Sequence, residues 1–154
     1  MRKHCSSFLR LVLLLVPAVV LVAQTDHTNA FTGTWKLNVA KSKFTSGPPP
    51  QSATITIAPD GTFTMDGVDQ KGEPNKWSHP WSVDKEVPLE GIENGTVISK
   101  LQGRTAEDTM KIGGKTVQTV HAALSPDGRT IKATIDGTDK QGGHVHNVEV
   151  YDKQ

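Results

Sequence analysis

Pro59-Asp60-Gly61-Thr62-Phe63-Thr64-Met65-Asp66-Gly67-Val68-Asp69-Gln70-Lys71-Gly72 decides the reading of this chain, because its punctuation returns further on. The second copy runs Pro126-Asp127-Gly128, a strand-like stretch, then Asp136-Gly137-Thr138-Asp139-Lys140-Gln141-Gly142. Proline presets φ for a turn, glycine supplies positive φ, and an aspartate side chain bonds the backbone two residues on. Each copy therefore reads strand, turn, strand, turn, strand, the grammar of an antiparallel meander.

Outward from these turns, apolar and polar residues alternate in short runs, and no segment after residue 30 holds a helical period. Phe31, Gly33, Trp35, Leu37 and Val39 share one face of a first strand. Residues 41–44 make a short strand, and the prolines of 46–50 make a stiff extended connector. Ala53, Ile55 and Ile57, then Phe63 and Met65, face inward with threonines opposite. Trp77, His79, Trp81 and Val83 share a parity, while Pro80 places that strand at an edge or a bulge. Residues 84–95 form a longer acidic connection that Asn94-Gly95 closes as a hairpin into Val97, Ser99 and Leu101.

Gly113-Gly114 makes a two-residue hairpin after Met110 and Ile112. It turns Val117, Thr119 and His121 to the side of Met110, whereas the Pro-Asp-Gly repeat turns Ala122 and Leu124 inward. Both hold only with a bulge between Val117 and Ala122, which leaves the orientation of His121 open. Ile131, Ala133 and Ile135 face inward, and the last strand carries His144, His146, Val148 and Val150 on one face. The fold class is all-β: a single antiparallel up-and-down meander of about 8–10 strands, closing into a barrel that either fills with side chains or holds one small ligand.

Gly33-Thr34-Trp35 on the first strand resembles the glycine-x-tryptophan signature of lipocalins and the wider calycin group. That resemblance implies that Trp35 packs across the closed end of the barrel against a basic residue late in the last strand, here Lys153. The run from Gly33 through Lys41-Ser42-Lys43-Phe44 and Gly47-Pro48-Pro49-Pro50, the Ser125-Pro126-Asp127-Gly128 turn and the ending Asn147-Val148-Glu149-Val150-Tyr151 is similar to small exported lipocalin-like proteins of soil bacteria. The C-terminal helix of lipocalins has no counterpart in the sequence.

Arg2, Lys3 and Arg10 precede an apolar run over 11–23, shorter than the ~20 residues of a membrane span and shaped like a secretory signal. Residues 1–30 are thus expected to be a signal peptide, cleaved after Ala23 or Ala30, with 31–154 as the barrel domain. Export to the periplasm or the extracellular space follows, and the mature chain has no membrane span. The single cysteine, Cys5, falls in the signal, so no disulfide is expected. Without the first 30 residues the balance is 14 basic to 15 acidic residues, about −1. That scattered, near-neutral charge excludes a nucleic-acid footprint.

Trp77, His79, Trp81, Phe63, Met65, Ser99 and His146 are the candidate pocket lining, aromatic walls with a few polar groups. His144-x-His146 puts two imidazoles on one strand face, where, with His121 or His79 as a third donor, they could share a transition metal. Without a third ligand fixed by spacing, the same pair reads as solvated histidines near a strand end. Asp66/Asp69 and Asp136/Asp139 lack EF-hand spacing and read as turn caps. No nucleophile elbow, cysteine nucleophile, phosphate loop or H-E-x-x-H motif occurs, so neither catalytic residue nor cofactor is assigned. The expected role is binding of a small, mostly apolar molecule. A filled barrel acting as a structural or interaction protein of the cell envelope is the alternative, and a histidine metal protein the third.

Overall fold

A computed structural model describes residues 30–45, 47–139 and 142–154. The expected signal segment lies outside the described residues except for Ala30, as do Lys140 and Gln141 of the second repeat.

Ten strands form one antiparallel sheet: β1 (Gly33–Leu37), β2 (Ser52–Ile57), β3 (Thr62–Val68), β4 (Pro74–Pro80), β5 (Glu86–Pro88), β6 (Gly95–Gln102), β7 (Thr105–Ile112), β8 (Lys115–Leu124), β9 (Thr130–Thr138) and β10 (His144–Lys153). Their spatial order is β4-β3-β2-β1-β10-β9-β8-β7-β6-β5. The meander is therefore continuous except that β1 pairs with β10, Trp35 opposite Lys153. The sheet curls into a nearly closed barrel, whose seam runs between β4 and β5. Ser78 N donates to Glu90 O at 3.0 Å and Glu90 N to Ser78 O at 2.8 Å, stitching that seam just beyond β5. The edge position that Pro80 requires is thus the position β4 takes.

Turn chemistry sorts the two ends of the barrel. Both Pro-Asp-Gly turns lie at one end, where Thr62 N donates to Asp60 Oδ1 at 2.8 Å and Arg129 N to Asp127 Oδ1 at 3.1 Å. Trp35 plugs this end. It is fully buried, its Nε1 donates to Phe31 O at 2.8 Å, and Lys153 Nζ stands 5.0 Å from the ring centroid, the packing that the calycin resemblance implied. At the other end, Asp69 Oδ1 accepts from Lys71 N and Glu73 N, and Asp139 Oδ1 accepts from Gly143 N.

Several local expectations are corrected. Asp66-Gly67-Val68 and Asp136-Gly137-Thr138 are strand, not turn, so only Asp69 and Asp139 cap. Gly67 and Gly137 serve close approach instead, since a Cβ on either would sit 2.4 Å from a neighbouring backbone oxygen, Ser52 O or Val117 O. The first strand ends in a 3-10 turn, Val39–Lys41, and residues 41–44 contribute only a bridge from Lys43 to Val148. Asn94-Gly95 is not a two-residue hairpin: the loop spans residues 89–94, with Asn94 at φ 55° and Gly95 already in β6. Gly113 and Gly114, at φ 55° and 79°, do make the tight turn expected of them. The required bulge exists and falls at Val117, where Met110 pairs with Gln118 and Lys111 with Thr116. It turns His121 outward, onto Glu107 at 3.3 Å.

Candidate functional site

The interior is not filled. A cavity of about 600 Å³ runs from above the Trp35 plug to the end that carries Asp69, Gln70, Lys71 and Asp139. One wall is aromatic. Phe63 and His79 are cross-strand partners, as are Met65 and Trp77, and strand alternation aims all four inward. The Phe63 ring stacks on Trp77 (centroids 5.2 Å apart, planes 19°) and on His79 (5.0 Å, 25°), and meets Trp81 edge-on at 6.2 Å. Ile55 of β2 continues this wall beside Met65, aliphatic side chains of β8 and β9, among them Ala122 and Ala133, lie across from it, and Leu89, Val97 and Met110 close the side nearest the seam. Of the 84–95 connection only Leu89 and Ile92 reach the cavity.

Of the residues singled out from sequence, Phe63, Met65, Trp77, His79 and Trp81 line this cavity. Ser99 is buried behind its wall, 1% exposed. His146 does not line it: it points outward, with Nδ1 2.5 Å from Asp136 Oδ1. The reason is the parity of β10. Tyr151 is buried opposite Leu37 and Ile131, which sends Val145, Asn147 and Glu149 inward and His144, His146, Val148 and Val150 outward. His121, His144 and His146 all favour the charged form of Asp136, whose hydrogen bond to His146 lowers its pKa most. Among the described residues, however, no three His, Cys, Asp or Glu side chains are grouped to hold one metal ion.

Sequence reasoning passed over three polar groups of the cavity. Asp108 shares the inward parity of Ala106 and Met110, a signal that alternation alone supplies, and it pairs with Ser99 across β6 and β7. Burial pushes its carboxyl above the usual range, against the pull of Ser99, His79 and Trp81 nearby. Asp108 Oδ1, Ser99 Oγ and Trp81 Nε1 are nevertheless all shut off from solvent with no partner in hydrogen-bond geometry. Across the cavity Tyr151 donates its hydroxyl to Glu149 Oε2 at 2.6 Å. Burial raises Glu149 and, reinforced by the Glu149 carboxylate, raises Tyr151 well above 10.

His79, 2% exposed, has its pKa lowered by burial, against the Pro80 carbonyl 3.1 Å from Nδ1 and the charge of Asp108. The unfolded chain takes up this proton near pH 6.5 and the folded chain only at lower pH, so His79 costs stability as pH falls through 6.5. Asp108 and Glu149, raised by burial, act in the opposite sense as pH rises above about 4. Between pH 7.5 and 5.5 the urea midpoint of His79→Gln should therefore fall less, or rise more, than that of the wild type. Equal shifts in the two proteins would remove His79 as the source.

No family model matches the chain, and no curated protein matches it in sequence. Among solved structures it is similar to fatty-acid-binding protein 1 of Echinococcus granulosus, at TM-score 0.51 and 13% identity over 81% of this chain and 98% of that one. It is likewise similar to the zebrafish ileal bile acid-binding protein complexed with cholic acid, at TM-score 0.50 and 15% identity over 81% of this chain and 99% of that one. Likeness at such low identity is likeness of fold, here an up-and-down antiparallel β-barrel.

Proposed function

We propose that this chain is an exported binding protein, periplasmic or extracellular, whose barrel takes a small, mostly apolar molecule through the Asp69/Asp139 end. The cavity is the observation that carries the reading. Its volume of about 600 Å³ falls in the range of small-molecule sites, and its walls combine aliphatic and aromatic surface with a few polar groups. Solved relatives in fold named for fatty-acid and bile-acid binding support the same use of the interior. Export rests on the basic and apolar pattern of residues 1–23. A solid barrel with an apolar outer patch is disfavoured by the hollow, and the exposed large apolar residues, Val39, Val83 and Ile112, sit on separate segments. In this reading Phe63, Met65, Trp77, His79 and Trp81 contact the ligand, and Ser99 backs them.

Ala133, 6% exposed on the inner face of β9, offers the test. Ala133→Trp fills the hollow and should weaken binding of the neutral probe N-phenyl-1-naphthylamine by at least about tenfold, with the far-ultraviolet circular dichroism of the wild type retained. Equal probe binding by the two proteins would place the ligand elsewhere or nowhere. The mass of protein recovered outside the cytoplasm, starting after Ala23 or Ala30, tests export.

A further inference from the structure

We infer that the cavity is built for an amphiphile with a protonated amine head group, paired with Asp108, and not for a fatty acid. This rests on the binding reading above. A carboxylate ligand needs a cation or an array of donors where its head comes to rest. Among the described residues no arginine lines the cavity, and the lining lysines are Lys71 and Lys111. Lys71 is exposed in the Asp69 turn at the mouth. Lys111 sits near the same end, with Nζ drawn 3.0 Å from Glu86 Oε2. Midway along β7 and β10, the ionisable groups are instead the carboxyls of Asp108 and Glu149. A second acid brought among them meets repulsion and desolvation together.

The two carboxyls are not equivalent. Glu149 already accepts the Tyr151 hydroxyl at 2.6 Å. Asp108 lines the cavity with no lysine or arginine beside it: Ser99, 1% exposed, and Trp81, 8% exposed, draw on its carboxyl, and burial disfavours a proton on the neighbouring His79. A buried carboxylate is seldom left without a cation, and an ammonium head group entering the cavity supplies one. An ammonium group supplies donors to Asp108 and neutralises it. Its alkyl chain then lies along the aliphatic wall toward the open end, and Phe63 and Trp77 offer ring faces that suit both a chain and a cation in transit.

Calorimetric titration of the purified protein at pH 7 with dodecylamine, dodecanol and dodecanoate, each kept below its solubility or micelle limit, tests the assignment. The amine should bind about tenfold or more tightly than the carboxylate, with the alcohol between, as a charge-assisted hydrogen bond implies. Asp108→Asn should abolish the amine's advantage over the alcohol while alcohol binding persists, which also reports that the variant is folded. Dodecanoate binding as tightly as dodecylamine, or an amine preference unchanged in Asp108→Asn, overturns the inference and leaves the cavity reading intact. Failure of all three ligands to bind overturns both.

Discussion

Trp35→Ala is expected to lower the unfolding free energy by about 3–5 kcal/mol, a large part of the stability of a domain this size. Trp35 is wholly buried among Phe31, Ile55, Ile57 and Tyr151, so truncation leaves a void that the surrounding β1, β2 and β10 backbone cannot collapse into. It also strands the Phe31 carbonyl, now the acceptor of the indole N–H at 2.8 Å. Lys153, by contrast, contributes through a cation–π contact at 5.0 Å, and Lys153→Met should cost only about 0.5–1 kcal/mol. Urea unfolding followed by far-ultraviolet circular dichroism measures both. A loss below about 1 kcal/mol for Trp35→Ala would show that the tryptophan is not the plug of this barrel.

Phe63→Ala should be nearly as costly, about 3–5 kcal/mol, for a different reason. Its ring is the hub of the aromatic wall, in contact with Trp77, His79 and Trp81 at 5.0–6.2 Å, and ring pairs of this kind add about 0.5–1.5 kcal/mol beyond area alone. Phe63→Leu separates the contributions, because it keeps most of the apolar volume and loses the stacking. Its urea midpoint should fall between those of wild type and Phe63→Ala, together with a loss of near-ultraviolet signal from the tryptophans. Exposed ion pairs such as Lys76–Asp66, at 2.9 Å, set the scale for comparison: about 0–1 kcal/mol each.

Much of the architecture was legible because the residues concerned have one physical solution. Gly113-Gly114 between strands, the two Pro-Asp-Gly turns and Pro80 at an edge each constrain the backbone locally. The conflict between the glycine hairpin and the inward parity of Ala122 and Leu124 required a bulge, which the structure places at Val117. Where two parities were equally apolar, local reasoning had nothing to choose by. On β10, Val148 and Val150 oppose Val145 and Tyr151, and only the ladder with β1 shows Tyr151 to be inside. That choice carried His146 out of the cavity and Glu149 into it. Asp66-Gly67 and Asp136-Gly137 misled for a related reason: the glycines answer a neighbouring strand's oxygen, a contact that lies 15 and 20 residues away in the chain. Asp108 followed the alternation of β7 and was still missed, since an acid at an inward position reads as an exception until the cavity gives it a purpose.

The order of the strands carries a consequence for how the chain is cut. The seam falls between β4 and β5, which are consecutive in sequence, while β1 and β10 lie side by side, with Gln154 N donating to Thr34 O at 2.9 Å. A circularly permuted polypeptide that joins residue 154 to residue 31 by a short linker and opens between Asp84 and Glu86 would run β5 to β10 and then β1 to β4. Every ladder of the sheet would then connect strands adjacent in sequence. The one pairing that now has to span almost the whole chain would become a local hairpin, and folding, which slows as contacting residues lie further apart along the chain, should accelerate although no contact of the finished sheet has changed.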